Sequence, residues 1–72
     1  MKWRLTKRQL RIMVLVGLGF TNEEIAQTLG ITHRTVQTHL STVFKVLGVT
    51  SRVQALVTLG WVTIPAQYLE EQ

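Results

Sequence analysis

The chain has 72 residues, no cysteine and a formal net charge of +4, and hydrophobic residues make up 46% of it. This length suits one small domain and leaves little room for a deep catalytic cleft, so an enzyme is not expected. The lack of cysteine excludes disulfides, cysteine-ligated zinc and thiol catalysis. No apolar run approaches the roughly 20 residues that span a bilayer, so we expect a cytoplasmic protein with no membrane partner.

The charges are unevenly distributed along the chain. Residues 1–64 carry all eight basic side chains and two of the four acidic ones, and no acid lies between Ile31 and Glu70. A compact basic body favours a polyanionic partner such as DNA, RNA or an anionic membrane. A solvated basic surface without any partner has the same composition, so charge alone leaves both interpretations open.

Four helices are predicted, in chain order, from their start and stop signals. Three begin with the spacing of a capping box, at Thr6-x-x-Gln9, Thr21-x-x-Glu24 and Ser51-x-x-Gln54, and Thr32 caps another. The predicted helices cover about residues 7–18, 22–29, 33–47 and 52–59, and a glycine follows each one. A further short helical turn is expected to begin at Pro65.

The second and third predicted helices are separated only by a sharp corner. Gly30 permits the left-handed backbone of that corner, Ile31 fills it, and Thr32 caps the next helix. Apolar residues across the two helices have the spacing of inward-facing side chains: Ile25, Leu29, Val36, Leu40 and Val43. This layout predicts a helix-turn-helix.

The outer face of the third predicted helix is polar and free of acids. Its residues are Arg34, Gln37, Thr38, Ser41, Thr42 and Lys45. Gln can pair bidentately with adenine, Ser and Thr can bond several bases, and Arg and Lys suit the flanking phosphates. Exposed helix faces ordinarily include acids, so this composition favours the major groove of DNA over a merely solvated face.

Taken together, these residues resemble the LuxR/GerE type of helix-turn-helix over roughly residues 5–61. The matching segments are Leu-Thr-Lys-Arg-Gln at residues 5–9, Gly19, Asn-Glu-Glu-Ile-Ala at 22–26, Leu29, Ile31, Thr32, Thr-Val-Gln-Thr-His at 35–39, Leu-Gly-Val at 47–49 and Ser-Arg-Val-Gln-Ala at 51–55. Region four of sigma factors is similar up to the third helix, and the last two segments favour the LuxR type.

The resemblance implies an all-α, four-helix domain at residues 1–64, followed by a tail at residues 65–72. The domain is expected to act alone as a transcriptional regulator that binds double-stranded DNA as a homodimer. Its recognition helix is expected at about residues 33–47, and the fourth helix is expected to carry the dimer contact. No cofactor is expected, and a protein partner such as RNA polymerase is compatible with the role. Since no sensor domain is visible, we expect regulation through expression level, partners or promoter competition.

The resemblance also assigns roles to residues at matching positions. Contacts to DNA bases are expected from Arg34, Gln37, Thr38 and Ser41. Contacts to the DNA backbone are expected from Thr21, Thr35, His39 and Lys45. The dimer interface is expected to contain Val53, Val57, Gly60 and Trp61. No metal site is expected, because His33 and His39 are six residues apart, which is a poor spacing for two ligands on one helix face. The alternative for His39 is simple packing.

Three positions depart from the usual pattern of the family. Gln9 stands where Glu is usual, so a common internal ion pair is expected to be absent. Gln37 replaces a usual Lys or Arg, which is expected to weaken general DNA affinity and to shift preference towards adenine. Val46 replaces a usual Lys and removes another base. The basic segment at residues 2–4 is expected to restore part of the attraction to phosphates.

The first helix carries a second apolar stripe, formed by Leu10, Val14 and Leu18, away from its core face. One interpretation is that this stripe contacts a partner protein or a second protomer. The other is that Trp3 or the tail covers it, the tail's apolar residues being Ile64, Tyr68 and Leu69. The stripe also supports the alternative function, a protein-interaction module of the same fold that has lost DNA binding.

Overall fold

The structure, a computed structural model, describes residues 3–62 and Pro65. This part of the chain forms four α-helices and no strand: α1 (Lys7–Gly17), α2 (Asn22–Leu29), α3 (His33–Leu47) and α4 (Arg52–Thr58). The predicted all-α, four-helix class is confirmed. Helices α1 and α4 end one residue earlier than expected, because Leu18 and Leu59 serve as their C-caps. The helical turn expected after Pro65 lies outside the described residues.

Each helix begins at its predicted cap, where a Thr or Ser side chain accepts a backbone N–H three residues further on. Complete capping boxes form at Thr6 and at Thr21. The box predicted at Ser51 is only half formed. Its other half is missing because Gln54 Oε1 accepts from the backbone N–H of Thr50 at 2.9 Å and from the Thr50 hydroxyl at 3.0 Å. Each N-cap is worth about 1 kcal/mol, so the four helix starts are well determined locally.

The core lies around α3, which contacts each of the other three helices. Its buried apolar residues are Ile12, Met13 and Val16 from α1, Ile25 and Ala26 from α2, Val36, Leu40, Val43 and Leu47 from α3, and Ala55 and Leu56 from α4. Predicted inward-facing Leu29 is only partly buried, at the edge of this core. Because α3 buries one face against three neighbours, its opposite face is left to solvent.

Gln9 is the one buried polar residue within the described part of the chain. Its Oε1 atom accepts the backbone N–H of Thr6 at 2.9 Å, and its own N–H donates to the Thr6 hydroxyl at 3.1 Å. A buried side-chain amide with a hydrogen-bonded partner costs little. The residue that departs from the usual Glu therefore completes the α1 cap.

The corner between α2 and α3 fixes the direction of α3. Gly30 adopts a left-handed conformation, with φ 66° and ψ 35°. The backbone N–H groups of Gly30 and Ile31 both donate to the carbonyl of Ala26, the second at 3.0 Å. Ala26 is buried, so the two helices approach closely at a small side chain. The predicted corner therefore forms from the residues that were expected to form it.

Candidate nucleic-acid interface

Helix α3 presents a continuous polar surface on the side away from the core. Six exposed residues line it, and we call this surface the recognition face: Arg34, Gln37, Thr38, Ser41, Thr42 and Lys45. It contains the four predicted base-contacting residues together with Lys45. The face has two formal positive charges, Arg34 and Lys45, and no acid, so its charge favours an anionic partner.

The side chains of the recognition face differ in the hydrogen bonds that they can still make. The Thr38 hydroxyl donates to the Arg34 carbonyl at 3.0 Å, and the Thr42 hydroxyl donates to the Thr38 carbonyl at 3.1 Å. These threonines therefore offer a lone pair and a methyl group, but no proton. The side chains of Gln37 and Ser41 make no hydrogen bond within the described residues, so each can both donate and accept.

A shallow cleft lies beside the recognition face and shares Gln37 and Ser41 with it. Its other lining residues are Asn22, Leu40, Phe44 and Arg52. The Arg52 guanidinium donates from Nη1 to the Phe20 carbonyl at 3.3 Å and from Nη2 to Asn22 Oδ1. These bonds tie the start of α4 to the turn that leads into α2. A fixed cation and the N-terminal ends of two helices are thereby gathered next to Ser41.

Sequence reasoning missed Asn22 and Arg52 as members of this surface. Both lie inside segments that carry the family resemblance, which was the available signal for them. Their contact joins residues 30 apart in the chain and depends on the angle between α4 and α2. No local spacing predicts that angle, so the pair emerges only from the folded structure.

The residues predicted to contact the DNA backbone occupy three separate places. Lys45 is exposed in the last turn of α3 and belongs to the recognition face. Thr21 is exposed at the N-cap of α2, where its hydroxyl accepts the Glu24 N–H at 3.1 Å and keeps its own proton available. Thr35 and His39 are half-buried along α3, and Thr35 Oγ1 lies 2.9 Å from Thr32 Oγ1. The structure therefore brings only Lys45 onto the recognition face.

An acidic side chain completes the start of α2. Glu24 Oε1 accepts the backbone N–H of Thr21 at 2.9 Å. This bond, supported by the Thr21 side chain, lowers the pKa of the Glu24 carboxyl below its ordinary value of 4.5. The carboxylate therefore stays ionised near neutral pH, where it also interacts favourably with the positive end of the α2 dipole.

The residues predicted for the dimer interface divide into two groups. Val53 and Val57 line an apolar groove on α4, together with Val49, Gln54 and Thr58. Val53 is 61% exposed and Val57 38% exposed, so this groove faces solvent. Gly60 and Trp61 are also exposed but do not line it. The Trp61 ring instead lies against the C-terminal end of α1, where its Cε3 atom is 3.9 Å from the position of a Cβ on Gly17.

No single helix within the described residues is long and apolar enough to cross a membrane. Among the four described helices, α3 and α4 counted together as a pair meet that measure of length and composition, and they are bent by 48° at the break between them.

A family model and individual proteins similar to this chain both indicate the same family. The model of bacterial regulatory proteins of the luxR family, named GerE, matches residues 4–59. Similar proteins include the transcriptional regulatory protein LiaR of Bacillus subtilis, which is 47% identical over 53 residues. The response regulator protein VraR of Staphylococcus aureus is 42% identical over 53 residues. In both cases the match covers 74% of this chain and 25% of the relative, so the chain spans about a quarter of the length of these relatives. The chain therefore belongs to the luxR family of bacterial regulatory proteins, as its sequence predicted.

Proposed function

We propose that this domain binds a specific sequence of double-stranded DNA and thereby regulates transcription, with the recognition face of α3 in the major groove. The observation that carries the proposal is the acid-free polar face itself, exposed on a helix whose opposite side is the centre of the core. The 15 residues of α3 give it a length of about 22 Å. A helix of this kind fits the major groove, which is about 12 Å wide.

Base recognition is assigned to Arg34, Gln37, Thr38 and Ser41. The Gln37 amide makes no hydrogen bond within the described residues. It can therefore pair with adenine through two hydrogen bonds, donating one and accepting the other. Ser41 can donate or accept, whereas Thr38 offers an acceptor or its methyl group, since its proton is already used. Arg34 lies near the start of α3 and supplies the bidentate donor geometry that guanine takes.

Contacts to the DNA backbone are assigned to Lys45, Thr21, Thr35 and His39. Lys45 follows Arg34 by eleven residues, a rise of about 16 Å, so the two cations lie near opposite ends of the recognition face. The hydroxyl proton of Thr21 is available at the N-terminus of α2, where helix dipoles favour phosphate. Thr35 and His39 can contact a phosphate from the side of α3, although each exposes only part of its side chain.

Dimerisation is proposed through the α4 groove, which Val53 and Val57 line, with the exposed Gly60 and Trp61 beyond the end of α4 as further contacts outside the groove. The groove is apolar and exposed, as a self-complementary contact between two α4 helices requires. It is also short, and stable interfaces usually bury about 1,000 Å² or more. We therefore expect the homodimer to form on DNA, with two recognition helices about 34 Å apart on a pseudo-palindromic site.

Selection of bound sites from a random DNA pool tests the proposal. The expected result is a pseudo-palindromic site, with half-sites about one helical turn apart and a preference for adenine opposite Gln37. A parallel selection with Gln37→Ala is the matched control, and it should lose preference at that one position while keeping the half-site spacing.

The second candidate function is a protein-interaction module that has lost DNA binding. The exposed Val14 and Leu18 on α1 favour it, since they form part of an apolar surface suited to a partner such as RNA polymerase. The same selection distinguishes the two functions. Failure to enrich any sequence, together with no binding to duplex DNA at low salt, would support the interaction module and contradict the regulator.

A further inference from the structure

The recognition face contains two threonines whose hydroxyl protons are already used. The Thr38 hydroxyl donates to the Arg34 carbonyl at 3.0 Å, and the Thr42 hydroxyl donates to the Thr38 carbonyl at 3.1 Å. Both threonines are exposed, so a partner meets what remains of each side chain, which is a methyl group and an oxygen lone pair. By contrast, Gln37 and Ser41 on the same face make no side-chain hydrogen bond within the described residues and keep their protons.

The groups that these two threonines still offer match one kind of base pair. In the major groove an A·T pair presents the N6 amino group of adenine and the C5 methyl group of thymine. A threonine without a free proton can accept from that amino group and can pack its methyl group on the thymine methyl. It cannot donate to N7 or O6 of guanine, and the cytosine of a G·C pair offers an amino group but no methyl group. The thymine methyl is therefore the feature that such a threonine can distinguish.

The spacing of the two threonines limits which base pairs they can reach together. Thr38 and Thr42 are four residues apart on α3, a rise of about 6 Å. Successive base pairs are about 3.4 Å apart along the duplex, so the two side chains reach pairs no more than about two steps apart. Gln37, next to Thr38 in the chain, has an amide that suits adenine. The three side chains together favour a short run of A·T pairs.

We propose that Thr42 is a further specificity-determining residue, and that the methyl groups of Thr38 and Thr42 recognise thymine methyl groups in a short A·T run of the bound sequence. The inference rests on the proposed function, because it names the base edges that the recognition face takes. Removing one methyl contact of this kind from water contributes about fourfold to affinity.

Replacing thymidine by deoxyuridine tests the proposal, because deoxyuridine keeps the base pair and lacks only the methyl group. The full-length protein is titrated with a duplex obtained by site selection, and with the same duplex carrying deoxyuridine in its A·T run. The affinity of the parent should fall about fourfold for each thymine methyl that a threonine contacts. Thr42→Ser keeps the hydroxyl without the methyl, so it should bind the thymidine duplex about fourfold more weakly and respond less to deoxyuridine. Thr42→Val keeps a methyl group and should respond as the parent does.

Ser41→Ala is the matched control, since Ser41 lies on the same face and its side chain has no methyl group. This variant should weaken binding to both duplexes equally. Equal affinity of the parent for the two duplexes, or a selected site without A·T pairs, would overturn the proposal and leave DNA binding intact. A Thr42→Ser variant that responds to deoxyuridine as strongly as the parent would exclude Thr42 from the recognition. Absence of binding to any duplex at low salt would overturn the proposed function together with this inference.

Discussion

The recognition face of α3 and the outer face of α1, which carries Leu10, Val14 and Leu18 beside Lys7 and Arg11, are both helix surfaces with exposed basic residues, yet their chemistry is opposite. The first presents hydrogen-bonding side chains between two cations, and the second presents apolar side chains beside two cations. A polar face loses little in water and gains directional bonds from base edges. An apolar face lowers its free energy only when other apolar groups cover it and remove it from water. Positive charge alone therefore does not distinguish the proposed DNA-binding surface from the face on α1, and the groups between the charges make the difference.

The largest expected effect comes from placing the same acid on each face. Ser41→Glu should weaken DNA binding by about 3 kcal/mol, or roughly 100-fold, because it puts a carboxylate against base edges and phosphates. Val14→Glu adds the same charge to the outer face of α1 and should change affinity by no more than about twofold. Fluorescence anisotropy with a labelled duplex measures both variants. Equal losses would show that net charge, rather than the recognition face, controls binding.

A change at the α2–α3 corner tests what orients the recognition face. Gly30→Ala should lower the free energy of unfolding by about 1–2 kcal/mol, because alanine is strained at φ 66° although nothing lies within 4 Å of the new Cβ. Gly17→Ala is the control, since its Cβ meets Leu56 at an ordinary 3.5 Å. Urea denaturation of both variants measures the difference. A Gly30→Ala variant as stable as the parent would contradict the claim that the left-handed backbone at this corner requires glycine.

The α4 groove provides a third exposed surface for comparison. Val57→Glu should leave the fold intact, because Val57 is 38% exposed, and should reduce affinity for a two-half-site duplex by roughly tenfold. Affinity for a single half-site should be unchanged, which makes that duplex the control within the same gel-shift series. Unchanged cooperativity on the full site would exclude this groove as the dimer contact.

Smaller effects separate the cations of the two faces. Lys45→Ala should weaken binding a few-fold and reduce the slope of log affinity against log salt by about 0.9, the value for one phosphate contact. Lys7→Ala removes an equal charge from α1 and should leave that slope nearly unchanged. Binding measured across a salt series compares the two. A larger loss of slope for Lys7→Ala than for Lys45→Ala would show that the phosphate contacts lie on α1 and would contradict their assignment to α3.

The smallest predicted effect concerns pH. The folded pKa of Glu24 is lowered, so its ionised form stabilises the domain above the ordinary pKa of 4.5, and this contribution is lost as pH falls through the folded value. Glu24→Gln should therefore show a weaker fall in denaturation midpoint between pH 6 and pH 3 than the parent. Glu23→Gln removes a charge from the same turn without touching the capping box, and serves as the control. Equal pH responses of the parent and Glu24→Gln would contradict the assignment.

Most of the fold could be predicted because its signals are local. The capping boxes at Thr6 and Thr21 depend on residues three positions away, so the spacing alone revealed them. The box at Ser51 was wrong in one half, because two donors on Thr50 compete for Gln54, and spacing gives no measure of that competition. The recognition face followed from helical periodicity.

What could not be predicted depends on how the helices meet. The Arg52–Asn22 bond and the Trp61 contact with Gly17 both join segments far apart in the chain. Trp61 was expected beside Val53 and Val57, and periodicity could not show that the chain turns towards α1 after Leu59. Contacts of this kind require interhelical angles, which no sequence pattern within one helix contains.

The most direct test of the central claim is a titration of the isotope-labelled protein with duplex DNA in dilute buffer, followed by amide chemical shifts. The account predicts that the largest shifts occur at Gln37, Thr38 and Ser41, while Val14 and Leu18 move little. Amide signals of α3 that stay unmoved, or shifts concentrated on α1, would contradict the assignment of the recognition face.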